Sequence, residues 1–243
     1  MFHEVGQVFY NTGQGGVFMK DEDNIGIIAD LHTPFELPGY LDFCVKIFDR
    51  CKCKTFVSIG DIVDLHAISY HEHDPNGQSP IDEMEEADKH LKPWFKAFPK
   101  LYLCKGNHDS LVDRKGKTVG LPKRAFRPFR DIWNLPKGWV DGFEFHFDGV
   151  LYKHGTGFSG RYAHVTAAER SRQSTVIGHT HSTLGIEYIV SSKDRIFGMN
   201  VGCGIDRKAY AFAYGKDFPR KPAVGCGVVT DRGKYAQVFP MGL

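Results

Sequence analysis

The stretch KLYLCKGNHDS, residues 100–110, places three polar side chains directly after a short apolar run. The run KLYL has the length and composition of a buried strand. Gly106 follows it and lets the backbone turn sharply. Asn107, His108 and Asp109 come next and supply an amide, an imidazole and a carboxylate. A surface loop could hold these residues without any function, but the end of a buried strand is also a common place for a working site.

The same arrangement recurs at four other places in the chain. In each of them a short apolar run ends and residues of metal-binding types follow at once: Asp30-Leu31-His32, Gly60-Asp61-Ile62-Val63-Asp64, His154-Gly155 and Gly178-His179-Thr180-His181. The carboxyl ends of strands in α/β sheets open into the crevice where ligands bind. Five such ends would therefore bring oxygen and nitrogen donors together in one pocket.

The spacing within two of these motifs favours metal binding over packing. Residues i and i+2 of an extended segment point the same way, so Asp30 and His32 can hold one ion together. His179 and His181 share an edge for the same reason. Carboxylates combined with imidazoles suit Mn, Fe or Zn, and no thiolate accompanies them. Each motif alone is common by chance, but the ordered set of five predicts a metal site.

The elements around these motifs predict an α/β fold of two sheets, packed face to face and flanked by helices. Strands alternate with helices in the first half of the chain, which is typical of a parallel sheet. One helix begins at Ser79 and Pro80 and is expected to bend or stop near Pro93. The full set is a hairpin-like lead-in over 1–20, strands at 24–30, 55–61, 100–107, 144–147, 150–155 and 175–181, helices over 38–50 and near 160–172, and short strands over 184–240 that include AYAFAY (209–214).

Length and composition fit one soluble domain. The chain has 243 residues and a formal net charge of +2, so no global field attracts nucleic acid or a membrane surface. The N-terminus lacks the pattern of a secretory signal, and no apolar stretch approaches the roughly 18 residues that span a bilayer. The six cysteines lack zinc-knuckle spacing. We predict a single domain over 1–243, a cytoplasmic location and no membrane partner, while the oligomeric state is not indicated.

In this order, the motifs DLH, GDIVD, GNHD, H-G and GHTH resemble those of the calcineurin-like metallophosphoesterases. The resemblance implies an α/β fold, namely a four-layer α/β/β/α sandwich of two mixed sheets flanked by helices. It also implies two divalent metal ions, with Mn favoured and Fe, Zn or Ni as alternatives. The implied ligands are Asp30, His32 and His181 for one ion, Asn107, His154 and His179 for the other, and Asp61 for both.

The resemblance also implies roles for residues that do not bind metal. The reaction would be hydrolysis of a phosphoester by attack of a hydroxide that bridges the two ions. His108 would contact the phosphate and protonate the leaving oxygen as a general acid. Asp64 stands where the phosphoprotein-phosphatase branch has the acid that orients this histidine, and it takes that role by analogy. For Asp109, a supporting role at the site and a turn-capping role are both open.

Two departures from the phosphoprotein phosphatases bear on the substrate. Those enzymes continue GDxxD with Arg-Gly, whose arginine holds phosphate, whereas Leu65 and His66 follow Asp64 here. GNHD also replaces their GNHE. Both differences favour a phosphodiesterase that hydrolyses a nucleotide or nucleic-acid phosphodiester. A phosphomonoesterase, including a protein phosphatase, and a non-catalytic scaffold of the same fold are the alternatives.

Three histidines after the second motif are candidate substrate contacts. His66, His71 and His73 follow Asp64 closely and could rim the pocket, where they would contact substrate or a further ion. They could equally be solvated loop residues. His66 is the best candidate of the three for a substrate contact.

A basic region is the second candidate for substrate binding. Residues 110–142 have the composition of an inserted loop-and-helix region, and the segment 114–130 within it interleaves basic residues with two phenylalanines. Such a mixture could hold a nucleic-acid backbone through Arg124 and Arg127 and stack bases on Phe126 and Phe129. It could equally be a surface helix whose phenylalanines face the core.

Overall fold

The computed structural model describes residues 24–70, 76–209 and 219–242. Several sequence predictions fall outside these ranges. They are the hairpin-like lead-in over 1–20, the histidines His71 and His73, and all but the first residue of the predicted strand AYAFAY.

Strands and helices follow one another along the described chain as the sequence pattern indicates, with single turns of 3-10 helix at His66–Ile68 and Lys123–Ala125. The elements are β1 (Asn24–Ile28), α1 (Tyr40–Arg50), β2 (Cys53–Ser58), α2 (Pro80–Ala97), β3 (Leu101–Cys104), α3 (Leu111–Thr118), α4 (Phe129–Ile132), β4 (Trp139–Gly142), β5 (Glu144–Phe147), β6 (Val150–Lys153), α5 (Ala163–Ser171), β7 (Ser174–Ile177), β8 (Leu184–Val190), β9 (Arg195–Val201), β10 (Gly225–Thr230) and β11 (Tyr235–Pro240).

The strands form two mixed sheets. The first has the order β11-β10-β1-β2-β3-β4, in which β1 to β4 are parallel and β10 is antiparallel to β1. The second has the order β5-β6-β7-β9-β8, in which β6, β7 and β9 are parallel. The parallel strands β1, β2, β3, β6 and β7 carry the sequence motifs at their carboxyl ends, so the topology places these motifs on one edge of each sheet.

Helices cover the outer face of each sheet and complete four layers. On the first sheet, the ring of Phe48 from α1 lies so close to Gly26 of β1 that a Cβ there would be 2.9 Å from it. On the second sheet, α5 buries Ala163 and Ala167 against β7 and β9. Met199 of β9 reaches Gly227 of β10 and joins the two sheets. The predicted four-layer α/β/β/α sandwich is confirmed.

The start of α2 matches its sequence signals, but its end does not. Ser79 Oγ accepts a hydrogen bond from the N–H of Asp82 at 3.3 Å, and Pro80 is the first helical residue. The helix includes Pro93 and ends at Ala97, because burial of Trp94 in the core outweighs the hydrogen bond that proline cannot make. Within the described ranges, no helix combines the length and the apolar character needed to cross a membrane.

The predicted insertion over 110–142 contains a strand that the sequence pattern did not reveal. Trp139–Gly142 forms β4, which is parallel to β3 at the edge of the first sheet. Trp139 is buried, and its indole N–H donates to the carbonyl of Phe98 at 2.7 Å. A four-residue strand that contains Asp and Gly gives too weak a periodic signal to be recognised. The loop-and-helix description therefore holds only up to residue 138.

Candidate metal centre

The side chains named as candidate ligands converge where the two sheets meet. β1, β2 and β3 of the first sheet deliver the residues that follow them, and β6 and β7 do the same from the second sheet. Parallel strands open their carboxyl ends to one crevice, which explains the convergence. All seven lie in two groups within this crevice: Asp30, His32 and His181 in the first, Asn107, His154 and His179 in the second, and Asp61 between them.

The first group combines residues from two turns, one that follows a strand of the first sheet and one that follows a strand of the second. One ligand atom each from Asp30, His32 and His181 lie within 4.8 Å of one another. Asp30 Oδ2 is 3.2 Å from His181 Nε2, and His32 Nε2 is 3.1 Å from the same nitrogen. Asp30 and His32 are completely buried, and the His181 side chain is partly exposed. The group is therefore open to solvent on the side of His181.

The second group centres on His154. Its Nε2 is 3.1 Å from Asp61 Oδ2, 2.9 Å from Asn107 Oδ1 and 3.1 Å from His179 Nδ1. The other ring nitrogen, Nδ1, donates to the carbonyl of Ile59 at 2.9 Å. In the neutral ring that a metal would require, this hydrogen bond fixes the tautomer and leaves the lone pair of Nε2 directed at the group.

Asp61 lies between the two groups and belongs to both. Its Oδ2 is 3.8 Å from His32 Nε2 in the first group and 3.1 Å from His154 Nε2 in the second. Its Oδ1 accepts the backbone N–H of His108 at 2.8 Å. One carboxylate oxygen thus faces both sets of nitrogens, as a ligand shared by two ions must.

The side chains present fit a pair of divalent ions. Asp30 Oδ1 is buried and has no hydrogen-bond partner among the described residues, although a buried carboxylate oxygen ordinarily has one. Imidazole nitrogens approach one another to 3.1 Å in both groups. Burial lowers the pKa of His154, but the charges of Asp61 and Asp30 outweigh it and raise this pKa to about 10. The carboxylates therefore create a negative potential at His154, which favours bound cations, and the carboxylate, imidazole and amide donors suit divalent metals.

The turns that carry three of these residues have an unusual backbone. His32, Asp61 and His179 have φ values of 53°, 46° and 66°, in the left-handed region that residues other than glycine rarely adopt. Gly60, beside Asp61, has φ 102°, and a side chain there would collide with the carbonyl of Cys104. Such conformations cost energy and persist where surrounding structure holds them, as they do at many functional sites.

His108 lies beside the two groups. Its ring centroid is 4.6 Å from that of His32, and its Nδ1 is 2.5 Å from the main-chain carbonyl oxygen of Asp64. Burial lowers its pKa, but the charges of Asp61 and Asp64 outweigh burial and raise the pKa above its usual value. Because Nδ1 donates to a carbonyl, Nε2 is the ring nitrogen left to exchange a proton with a ligand.

Asp64 holds two histidines through different atoms. Its carboxylate Oδ1 is 2.5 Å from His32 Nδ1 but 3.5 Å from His108 Nδ1. The carboxylate thus bonds to His32, a candidate metal ligand, and the main-chain oxygen holds His108. The resemblance implied that Asp64 orients His108. The structure places the main-chain oxygen of Asp64 2.5 Å and its carboxylate Oδ1 3.5 Å from His108 Nδ1, with the main-chain oxygen making the closer contact.

Asp109 joins two of the ligand-bearing turns. Its carboxylate accepts backbone N–H groups from Gly106 at 2.9 Å, Asp61 at 2.8 Å and Ile62 at 3.0 Å. Burial and the nearby charge of Asp61 raise the pKa of Asp109 to about 7. The turn-capping alternative describes these contacts, and the same contacts also fix the backbone of Asp61.

Glu83 is a supporting residue that the sequence reasoning missed. It is buried, and its carboxylate accepts the backbone N–H groups of His66 and Ala67, both at 2.7 Å. These bonds hold the turn that follows Asp64. Glu83 lies at helical spacing from Ala87 and Leu91 on the buried face of α2. An acidic residue on an otherwise apolar helix face is a sequence signal that could have identified Glu83 as a supporting residue.

His66 lies inside the protein rather than at a solvated rim. It is 6% exposed, and its Nδ1 is 4.0 Å from Asp64 Oδ2. This burial excludes the solvated-loop alternative for His66. Its place behind Asp64 favours support of the site over direct contact with a substrate.

The basic segment does not direct its aromatic residues to solvent. The ring of Phe126 lies against Gly116, and Phe129 is half-buried against the core. Arg124 and Arg127 are exposed, and Arg127 donates to the carbonyl of Asp131 at 2.6 Å. The alternative in which the phenylalanines face the protein describes this segment, and base stacking on them has no structural support.

Comparisons with known proteins give one family match and several similar solved structures. Similar solved structures include a novel archaeal phosphodiesterase (15% identity, TM-score 0.47, covering 90% of this chain and 99% of that one) and vacuolar protein sorting 29 from Cryptosporidium parvum (14%, 0.42, 91% and 98%). A third is the nuclease MPE from Pseudomonas putida (14%, 0.32, 89% and 87%). No curated protein matches the sequence. Residues 24–200 match the model of the calcineurin-like phosphoesterases, and the chain therefore belongs to that family.

Proposed function

We propose that this protein is a dinuclear metal-dependent phosphodiesterase that hydrolyses a nucleotide or nucleic-acid phosphodiester. The observation that carries the proposal is the position of Asp61, which has one carboxylate oxygen facing both groups of candidate ligands. A single metal site would not need an acid shared between two sets of nitrogens. The family supports hydrolysis of phosphoesters in general.

Each group of side chains has a role in this proposal. Two divalent ions, when bound, supply an activated water as nucleophile and positive charge that stabilises the phosphoryl group. The ions are proposed to be Mn, with Fe, Zn or Ni as alternatives, because the donors are oxygens and nitrogens without thiolates. The proposed ligands are Asp30, His32 and His181 for one ion, Asn107, His154 and His179 for the other, and Asp61 for both.

His108 is the proposed proton donor to the leaving oxygen. The hydrogen bond to the carbonyl of Asp64 fixes its ring and leaves Nε2 for the substrate. Asp64 is the proposed positioning residue, because its backbone holds His108 while its carboxylate holds His32. The side chain of His108 is 17% exposed, so this ring can reach a bound ligand.

The preference for a diester follows from the residues after Asp64. The phosphoprotein phosphatases have a phosphate-holding arginine where this chain has Leu65, which is buried. Without that positive charge, the doubly charged phosphate of a monoester is held less well than the singly charged phosphate of a diester. A scaffold without catalysis has no need for the intact set of candidate ligands found here.

An assay with two p-nitrophenyl substrates tests the proposal. In the presence of Mn, the protein should hydrolyse bis-p-nitrophenyl phosphate with a higher kcat/KM than p-nitrophenyl phosphate. Asp61→Asn should abolish this activity, whereas the control Asp113→Asn, at an exposed position on α3, should retain it. A higher kcat/KM on the monoester would overturn the diester preference. Absence of hydrolysis of both substrates with Mn, Fe, Zn and Ni would contradict the proposal that the protein is an enzyme.

A further inference from the structure

A compact group of two basic residues and a tyrosine lies beside the metal centre, and the proposed chemistry does not use it. We call Tyr70, Arg114 and Lys115 the Tyr70 cluster. Arg114 and Lys115 belong to α3, which begins directly after the GNHDS motif. Arg114 Nη1 donates to the main-chain carbonyl of Asn107 at 3.2 Å. The side chain of Asn107 is part of the second ligand group, so the guanidinium of Arg114 contacts a residue that belongs to that group.

The tyrosine holds both cations in place. The Lys115 Nζ lies 4.0 Å from the centroid of the Tyr70 ring, and the Arg114 Cζ lies 5.1 Å from it. Lys115 Nζ also donates to the carbonyl of Ser69 at 3.1 Å. Cation–π contacts of this kind attract both cations to the face of the ring. The two positive charges therefore lie together beside Tyr70.

The cluster carries positive charge that no acid of the described chain neutralises. Other basic residues nearby are paired, since Lys105 and Arg130 both contact Asp141. In residues 24–70, 76–209 and 219–242, Arg114 and Lys115 have hydrogen bonds to main-chain carbonyls and contacts to Tyr70, but no ion pair with a carboxylate. A guanidinium has five N–H donors and binds phosphate with two of them in parallel. Arg114 thus retains the means to bind an anion at the edge of the metal centre.

We propose that the Tyr70 cluster binds a second phosphate of the substrate, next to the one that is cleaved. This inference rests on the proposed phosphodiesterase function and narrows its substrate to a nucleic-acid strand. A cyclic nucleotide or another diester with one phosphate has no anion to place against the cluster. A strand carries a phosphate at each nucleotide, so a phosphate at the metal centre brings a neighbour to its rim. Exposed basic residues contribute to strand binding through such contacts.

Two short oligonucleotides separate this proposal from simple phosphodiester hydrolysis. The thymidine dinucleotide TpT has one phosphate, and the trinucleotide TpTpT has two. The wild-type protein with Mn should cleave TpTpT with a higher kcat/KM than TpT. Arg114→Ala should lower kcat/KM on TpTpT by about tenfold or more, mainly through KM, and leave TpT within about twofold. The dependence of kcat/KM on salt for TpTpT should also weaken, by about 0.7 in logarithmic slope.

Arg195 provides a matched control. It is exposed, its Cζ lies 5.4 Å from the ring centroids of Tyr188 and Tyr235, and it donates to the carbonyl of Lys234 at 3.2 Å. It has the same kind of surroundings as Arg114, but it starts β9, at the end of the strand opposite to the metal centre. Arg195→Ala should leave both substrates unaffected. Melting temperature and Mn content should match the wild type in both variants.

Three results would overturn the inference. The first is an equal loss of kcat/KM on TpT and TpTpT in Arg114→Ala, and the second is no loss on either substrate. The third is a wild-type kcat/KM that is no higher on TpTpT than on TpT. Each of them leaves the hydrolysis of TpT by the wild-type protein intact and therefore leaves the proposed function standing. If the wild-type protein cleaves neither oligonucleotide nor bis-p-nitrophenyl phosphate, the proposed function fails, and the inference fails with it.

Discussion

The metal centre and the basic segment 114–130 are neighbours in the fold, yet only the metal centre brings its polar groups to one point. There, side chains from five separate turns lie in two adjoining groups, in which Asn107 Oδ1 and His179 Nδ1 are 2.9 Å and 3.1 Å from His154 Nε2. In the basic segment, Arg127 binds the backbone of its own region and Arg130 pairs with Asp141. The difference shows that parallel strands collect side chains from distant parts of the chain, whereas a run of like charges spreads its side chains over a surface.

Arg114 is the exception at the boundary between the two regions. It is the first residue of the basic segment, and it contacts the backbone of Asn107 because α3 begins directly after the third ligand-bearing turn. The distance from a strand end thus decides which basic residues reach the site. The predictions below test this distinction between convergent and dispersed groups.

The largest effect is expected at His108, within the convergent region. His108→Ala should retain Mn, because the ring is not among the proposed ligands, and should lower kcat on TpT by about 100- to 10,000-fold. The loss on bis-p-nitrophenyl phosphate should be smaller, since p-nitrophenolate leaves without a proton. Metal content by mass spectrometry and steady-state kinetics give both quantities.

His146→Ala is the control for this variant, because that histidine lies on β5 of the second sheet, next to Glu144. It should change neither metal content nor kcat. Loss of both metals in His108→Ala would contradict its assignment as the acid, and equal losses on the two substrates would contradict proton donation to the leaving oxygen.

An intermediate effect is expected at Asp109, which joins two of the convergent turns. Asp109→Ala leaves the N–H groups of Gly106, Asp61 and Ile62 without their acceptor, so the free energy of unfolding should fall by about 3 kcal/mol. Mn affinity should fall by about 10- to 100-fold, as is usual when the support of a metal ligand is removed. Denaturant unfolding and Mn titration measure these effects.

Asp113→Ala is the control for Asp109, because Asp113 is a half-exposed acid on α3 whose nearest cation, Lys123, is 3.9 Å away. Its unfolding free energy should stay within about 0.5 kcal/mol of the wild type. A wild-type Mn affinity in Asp109→Ala would show that the centre does not depend on this connection between the turns.

The smallest effect is expected in the dispersed region. If a nucleic-acid strand extends beyond the Tyr70 cluster, Arg124→Glu combined with Arg127→Glu should weaken binding of a long single-stranded oligonucleotide by a few-fold at low salt and not at high salt. Fluorescence anisotropy at two salt concentrations measures this. Unchanged binding at low salt would show that neither arginine contacts the substrate. A loss as large as that of Arg114→Ala in the same binding assay would contradict the distinction between the two regions.

The parts of the fold and site that the sequence predicted correctly are those set by local pattern and topology together. The proximity of Asp61 and His154 could be predicted, since each follows a short apolar strand and parallel strands open to one edge. The sandwich itself followed from the order of motifs. The turn with φ 46° at Asp61 was not predicted, because it depends on the carboxylate of Asp109, which follows another strand and accepts the N–H of Asp61.

The features that the sequence did not predict depend on contacts between distant residues. Glu83 holds the backbone of His66 from a helix on another part of the chain, and no local spacing links the two. The carboxylate of Asp64 lies closer to His32 than to His108, whereas the resemblance implied only the contact with His108. β4 is a strand because Trp139 is buried beneath the chain at Phe98, rather than because its four residues favour that conformation.

The most direct test of the two-ion centre is a crystal structure of the Mn-loaded protein with anomalous diffraction at the Mn edge. We expect two anomalous peaks per chain. One should lie among Asp30, His32 and His181, the other among Asn107, His154 and His179, and the carboxylate of Asp61 should contact both. One peak alone, or two peaks of which either lies away from Asp61, would contradict a dinuclear centre.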